Sequence, residues 1–300
     1  MPQIAVVGSL NFDTTVRVPR LPQPGETVLG FDHFSDTGGK GANQAVAAAR
    51  LGRDVSMVGM IGDDDAGQQL TAALRRDGVD VTSVASGEIG SGMAVITVDE
   101  TGENMIVVDP GANGAFSVVA LEHAATVVAA ADLVLLQLEI PLETVAAAVE
   151  MATGVVVLNP APATFLDPGL LSSVTVLVPN ATELALLAAA EVPVTPQDAI
   201  DLARRLEGPD AVVVTLGAAG AVVVGDDVAV HVPAPVVDPV DPTAAGDAFC
   251  AGLADALVRG EALEDAVRWA VRVGAVTATR WGAQASLPTR EEVLALGGTT

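Results

Sequence analysis

The stretch Asp241-Pro242-Thr243-Ala244-Ala245-Gly246-Asp247-Ala248-Phe249 decides how the rest of the chain is read. Small residues lead into an Ala-rich apolar run, so a helix is expected over Ala244 to Val258. The N–H groups of Ala245, Gly246 and Asp247 then lie at a helix N-terminus, where amides lack intrahelical partners and the dipole is positive. Such an end binds anions, and small side chains let a phosphate approach the backbone. Asp247 stands beside that anion site. Its carboxylate can take a proton from a hydroxyl while the amides hold charge building on a phosphoryl group. Taken alone, Asp247 is also read as an ordinary helix-start carboxylate; the flanking residues carry the chemical reading.

Working outward, strand and helix patterns alternate along the chain. Strands are expected at Ile4 to Val7, Val55 to Ile61, Asp132 to Gln137, Val155 to Leu158, Val174 to Val178, Asp210 to Leu216, Ala221 to Val224 and Val228 to Val232. Helices are expected at Ala42 to Leu51, Asp65 to Arg76, Leu142 to Met151, Ala181 to Ala190, Pro196 to Leu206, Leu263 to Thr279 and Arg290 to Leu296. This alternation implies an α/β fold, a mostly parallel central sheet covered by helices on both faces. Ligands in such sheets bind at the carboxyl ends of the strands. Two segments depart from it. Thr14 to Val18 with Thr27 to Phe34, and Met93 to Val98 with Asn104 to Val108, alternate as hairpin strands. They are expected to form a small β lid from about 13–36 and 91–109 on a single domain over 1–300, or else hairpins that merely extend the sheet.

A second constellation is Gly38-Gly39-Lys40-Gly41-Ala42-Asn43-Gln44-Ala45. Its three glycines permit a tight loop and close approach of backbone to ligand. Lys40 and Asn43 can donate to hydroxyls. Lys40 is the single lysine of the chain. The pattern is not a Walker loop, and no G-x-G-x-x-G fingerprint follows the first strand, which argues against a dinucleotide-dependent oxidoreductase. The first strand ends in Gly8-Ser9-Leu10-Asn11-Phe12-Asp13, placing Asn11 and Asp13 where a polyol would meet them.

Composition excludes other classes. With 14 basic against 38 acidic residues the net charge is −24, so nucleic acid and anionic membrane are poor partners. Such an acidic, lysine-poor surface fits a high-salt cytoplasm or an acidic GC-rich mesophile equally. The single cysteine, Cys250, allows no internal disulfide, fits a reducing cytoplasm and reads as a small core residue. No apolar run reaches the length that spans a bilayer, and the start of the chain carries no basic leader, so a cytoplasmic protein is expected.

Together these motifs resemble the ribokinase-like carbohydrate kinase family nearly end to end. The likeness includes Gly8 to Asp13, Pro24-Gly-Glu-Thr27, Gly38 to Ala45, Gly62-Asp63, Gly111-Ala-Asn113, Gln137-Leu-Glu139, Asn159 to Ala163, Pro179 to Glu183, Thr215-Leu-Gly217 and Asp241 to Asp247. The resemblance implies a three-layer sandwich with a β lid, through which family members often dimerise. It implies sugar binding by Asn11, Asp13, Gly39, Lys40, Asn43 and Glu139, and catalysis by Asp247 with Ala244, Ala245 and Gly246 as anion hole. Asn180, Thr215, Gly217, Gly220 and Gly246 match nucleotide-contacting positions, and Glu183 is linked to magnesium. Asp241, Thr243, Thr277, Arg280, Gly282 and Ser286 align with a monovalent cation loop, usually potassium. Three positions depart from the family pattern. Pro242 replaces a Thr and removes a backbone donor. Val271 stands where relatives often carry a polar residue near the adenine, and Ala181 is a mild change.

The implied reaction moves the γ-phosphoryl of ATP to the primary hydroxyl of a sugar. Lys40 is the one cation among the sugar-contact candidates and a sugar acid usually calls for Arg clamps, so a neutral sugar is expected. D-ribose comes first because Gly38 to Asn43 and Ala244 to Asp247 resemble the ribokinase branch more than the others. Another pentose, a hexose, a nucleoside, or a non-catalytic sugar sensor on the same fold are the alternatives.

Overall fold

A computed structural model describes residues 4–296. The first half runs β1 (Ile4–Val7), β2 (Asn11–Arg17), β3 (Asp32–Gly38), α1 (Lys40–Arg50), β4 (Val55–Gly62), α2 (Asp65–Arg76), β5 (Asp80–Gly87), β6 (Gly92–Val98) and β7 (Asn104–Asp109). Three short helices follow, α3 (Gly111–Gly114), α4 (Val118–Glu122) and α5 (Ala125–Ala130), then β8 (Leu133–Leu136), α6 (Leu142–Met151), β9 (Val155–Leu158), α7 (Pro168–Leu171) and β10 (Val176–Leu177). The remainder is α8 (Ala181–Leu187), α9 (Pro196–Ala203), β11 (Ala211–Thr215), β12 (Ala221–Gly225), β13 (Ala229–Val232), α10 (Ala245–Val258), α11 (Leu263–Thr277) and α12 (Arg290–Ala295).

Nine strands form one sheet in the order β13-β12-β11-β10-β9-β8-β1-β4-β5. It is parallel except where β12 and β13 turn back at one edge. Strand β1 shows why helices cover both faces. All four of its residues are buried; Ile4 and Val6 join the core under α1, α10 and α11, while Ala5 and Val7 join the core under α5 and α6. Side chains alternate across a strand, so a strand apolar at every position needs two covered faces.

The other four strands make a smaller sheet, β3-β2-β6-β7. Its parallel pair β2–β6 lies between two antiparallel pairs. The chain passes between the sheets at residues 8–10, 39, 88–91 and 110. No helix among the described residues is long and apolar enough to cross a membrane.

Several elements differ from the sequence expectation. Strand β3 begins at Asp32, so residues 27–31 are not strand, and it runs on to Gly38. The expected glycine loop is therefore a single residue: Gly39, at φ 87°, is the whole link between β3 and α1. Strand β5 was not anticipated, because Thr82, Ser83 and Ser86 break its apolar period and it lies at the sheet edge. Helix α8 stops at Leu187 rather than Ala190, as Ala189 turns to φ 48°.

Candidate active site

Helices α1 and α10 begin on the same side of the large sheet and pack together, and their first turns carry the chemistry. Helix α1 starts without a side chain of its own to cap it. Its first three amides find distant acceptors instead: Lys40 N–H donates to Glu139 Oε2 (3.0 Å), Gly41 N–H to Ser9 Oγ (3.3 Å) and Ala42 N–H to the Ser9 carbonyl (2.9 Å). Ser9 Oγ in turn donates to Glu139 Oε2 at 2.5 Å. Glycine is required at 41, where a Cβ would lie 2.6 Å from the Ser9 nitrogen.

Helix α10 is entered through Ala244 at φ 58°, a left-handed conformation that costs an alanine about 1–2 kcal/mol. The Ala245 N–H is taken by the Pro242 carbonyl (3.1 Å). The expected trio of free amides, Ala245, Gly246 and Asp247, is thus reduced to the pair Gly246 and Asp247. Pro242 costs the turn nothing, since it serves as acceptor and the Asp241 carboxylate takes the next amide, Thr243 N–H, at 2.9 Å.

The Asp247 carboxylate is buried and held by two amides. Asn43 Nδ2 donates to its Oδ2 (2.9 Å) and Gln44 Nε2 to its Oδ1 (3.1 Å). Burial pushes its pKa up, opposed by the Lys40 ammonium and these two donors. Burial also works to lower Lys40, but Asp247, Glu139 and Glu183 hold it above its ordinary value. The two groups thus sustain each other's charge.

A cavity of about 250 Å³ opens in front of Asp247. Lys40, Asn159, Asn180, Glu183, Thr215, Pro242, Ala244, Gly246 and Cys250 line it with the aspartate. Asn180 and Glu183 form a capping box at the start of α8, each side chain bonding the other's backbone N–H at 2.8 Å. Burial raises the Glu183 pKa against the pull of the Asn180 amide and Lys40. Of the residues matched to nucleotide contacts, Gly217 and Gly220 do not line this cavity. Both have positive φ in the turn between β11 and β12, and a Cβ on Gly220 would lie 2.1 Å from the Val232 carbonyl oxygen. Val271 is buried in the core under α11 and does not line it either. Cys250 is buried as expected and also lines the wall, where burial drives its thiol pKa far up.

Asn11, Asp13, Gly39, Asn43 and Glu139 gather where β2 and β3 meet α1. Asn113 orients Asn11: its Nδ2 donates to Asn11 Oδ1 (2.7 Å) and to the Leu10 carbonyl (3.0 Å), and its Oδ1 accepts from Leu10 N–H (2.9 Å). With its oxygen engaged, Asn11 offers its NH₂ to a ligand.

The expected cation loop is two facing segments, 241–243 and 277–286, joined by the Gly282 N–H to Asp241 Oδ2 bond (3.0 Å). Burial tends to raise Asp241, but hydrogen bonds from Thr243 and Gly282 hold it below the usual carboxylate range. The side chains of Thr277, Arg280 and Ser286 are committed elsewhere, to the Val273 carbonyl, Glu292 and the Ala283 carbonyl. Because both hydroxyls donate in these bonds, the oxygens of Thr277 and Ser286 keep lone pairs for an ion beside the backbone carbonyls.

The sequence reading included Gln44, Gln137, Asn159, Asn113 and Ser9 in its motifs but gave none of them a role of its own. The available signal was polarity out of place: Gln44 interrupts an alanine-rich helix and is fully buried.

The model of the pfkB family of carbohydrate kinases matches residues 1–290. This chain belongs to that family. It is 40% identical to a ribokinase of Haemophilus influenzae, over 97% of each chain. It is 38% identical to a deoxyribokinase of Salmonella typhi, over 96% of each. A structure of Arabidopsis thaliana ribokinase complexed with ribose and ATP superposes with a TM-score of 0.90, at 32% identity, covering 100% of this chain and 99% of that one. The α/β fold of this carbohydrate kinase is therefore the one its motifs implied.

Proposed function

We propose that this carbohydrate kinase transfers the γ-phosphoryl of ATP to the primary hydroxyl of D-ribose, giving D-ribose 5-phosphate. The observation that carries the reading is the buried Asp247 carboxylate, held by two amides beside the free N–H groups of α10 and facing Lys40 across the cavity. Phosphoryl transfer is chiefly positioning plus electrostatic stabilisation. Asp247 takes the proton from the sugar hydroxyl. The Gly246 and Asp247 amides, at the positive end of α10, receive the charge of the transferring group, with Ala244 and Ala245 shaping that turn. Lys40 reaches the same point from α1. Asn11 donates to a sugar oxygen, and Asp13, Asn43 and Glu139 accept from or donate to its hydroxyls over Gly39. Asn180, Thr215, Gly217 and Gly220 border the nucleotide.

Magnesium fits this donor set. Among the described residues no three carboxylates, histidines or cysteines are placed to hold a metal ion by themselves, so Glu183 would hold the ion together with phosphate oxygens and water, as is usual for magnesium. Bound there, it neutralises phosphate charge. Potassium fits the loop between Asp241 to Thr243 and Thr277 to Ser286 through the Asp241 carboxylate and backbone carbonyls, Arg280 and Gly282 included. The smaller sheet serves as a lid that excludes water. Its strand β7 is exposed along its length, with Met105, Ile106, Val107 and Val108 on show beside Met93 and Val95. An apolar strip of this kind suits a second copy of the chain. The site of action is the cytoplasm, where ATP is available.

The test is ADP release from ATP and magnesium over ribose, 2-deoxyribose, fructose, adenosine and a sugar acid, with and without potassium. Ribose-dependent turnover supports the reading. The deoxyribokinase relative makes 2-deoxyribose the second reading, and a preference for it moves the substrate. No turnover on any acceptor favours a sensor.

A further inference from the structure

Two glutamines without a role so far form a chain that ends on the base. Gln137, just after β8, and Gln44, on α1, are both fully buried. Gln137 Nε2 donates to Gln44 Oε1 at 2.5 Å. Gln44 Nε2 donates to Asp247 Oδ1 at 3.1 Å and, at 3.4 Å, to Asn159 Oδ1.

The polarity of this chain is forced. An ionised carboxylate only accepts hydrogen bonds, so Gln44 must turn its NH₂ toward Asp247 and its oxygen back toward Gln137. Gln137 must then present its own NH₂. Flipping either amide sets like atoms against each other. The arrangement leaves Gln137 Oε1 buried without a partner, which native structures retain only for a reason. The seat is kept open by Gly8, where a Cβ would lie 1.9 Å from that same oxygen. Gln137 itself does not line the cavity.

We propose that Gln44, oriented by Gln137, is a positioning residue for Asp247, fixing the plane of its carboxylate and favouring its ionised form. This rests on the reading of Asp247 as the base. Two of the carboxylate's lone-pair directions are filled by Asn43 and Gln44, and the others remain for the sugar hydroxyl. The charged and titratable groups facing Asp247 are Lys40 from α1, Glu139 after β8, and Cys250 on its own helix; Glu183 faces it from α8. None of them donates a hydrogen bond to Oδ1, so replacing Gln44 removes that donor and leaves the charges in place.

The experiment measures kcat and kcat/KM against pH for the full chain, with ATP and the sugar that supports turnover. It compares the parent with Gln44→Glu, Gln44→Leu, Gln137→Leu and the double Leu variant. Gln44→Leu should lower kcat by about 10–100-fold, the scale of a misplaced catalytic group, with KM for ATP unchanged. Its acid limb should move up by about one pH unit as a donor to the carboxylate is lost. Gln137→Leu should do the same more weakly, and the double variant should match Gln44→Leu alone, because Gln137 acts only through Gln44. Gln44→Glu keeps the side-chain shape and the bond from Gln137 but sets a like charge beside the base, so it should move the acid limb furthest. It carries the test should Gln44→Leu not fold. A parental pH profile in the folded Gln44 variants, or Gln44 and Gln137 effects that multiply, would overturn the proposal. A parent active on sugar with unshifted variants sinks this proposal alone; a parent inactive on every sugar sinks the kinase reading and this with it.

Discussion

Asp13 and Asp36 stand directly opposite each other across the β2–β3 ladder, and the Asp13 carboxyl leans over Gly38, where a Cβ would lie 2.3 Å from its Oδ2. Like charges in that register repel. Burial first, then Glu139 and Asp36, push the Asp13 pKa up to about 7, from 3.8. The native state therefore holds more protons than the unfolded chain between about pH 4 and 7, and stability falls as pH rises through that window. Asp13→Asn should raise the thermal midpoint at pH 8 and leave it unchanged near pH 4. Sugar hydroxyls donate to the ionised form, so the sugar KM should fall between pH 6 and 8. Melts at both pH values and a KM profile check this; a flat KM would remove Asp13 from the sugar contacts.

Asp247→Asn replaces an acceptor by an amide that faces two amide donors, Asn43 and Gln44. Loss of a general base costs typically ~10²–10⁴-fold in rate. Steady-state kinetics should show that drop in kcat with native circular dichroism. Turnover close to parental would end the assignment of the base.

Two glycines should separate folding from phosphate handling. Gly41→Ala puts a Cβ within 2.6–2.7 Å of the Gly8 and Ser9 backbone, so α1 must shift. Overpacking of this kind costs about 1–3 kcal/mol, and the sugar KM should rise with it. A Cβ on Gly246 meets nothing within 4 Å. Gly246→Ala should keep the parental melting temperature and raise KM for ATP, because the methyl occupies the phosphate approach.

Asp255 is the hub of a separate charge cluster. Its fully buried carboxylate pairs with Arg53 (3.0 Å), Arg290 (2.6 Å) and Arg259, and Trp269 lies against the guanidinium groups of Arg259 and Arg290. Asp255→Ala removes the carboxylate that three arginines share, and breaking such a buried network typically costs ~3–5 kcal/mol. Urea unfolding should show the loss. Turnover per folded molecule should hold, since Asp255 lies about two turns of α10 beyond Asp247.

The net charge of −24 predicts a salt effect. Raising ionic strength shortens the reach of carboxylate repulsion. The melting temperature should rise between 0.1 and 1 M salt, equally in sodium and potassium chloride. A rise confined to potassium would point to the cation loop instead.

What the sequence disclosed depended on how local the signal was. Helices α2 and α6 and strand β9 fall at their expected bounds because apolar period and flanking residues agree over a few turns. Asp247 was readable because its helix start announces itself in consecutive small residues. The opposite holds for Gln44 and Gln137. Their bonds join residues 203 and 93 positions apart, and nothing within either segment names the partner. The glycine run was read as a loop because three glycines permit one; the close approach of Gly41 to the Ser9 backbone gives them another use, seating a helix directly on a strand end.

Lys40 is the only lysine in the chain, and it stands in the cavity wall rather than on the outer surface. No other lysine side chain exists to present an amine on the outside of this molecule. Acylating, glycating or cross-linking reagents that act on lysine find a single address, inside the site and shielded by neighbouring carboxylates. Their rate of modification at Lys40, with and without bound nucleotide, reports occupancy of the cavity without background from any other lysine.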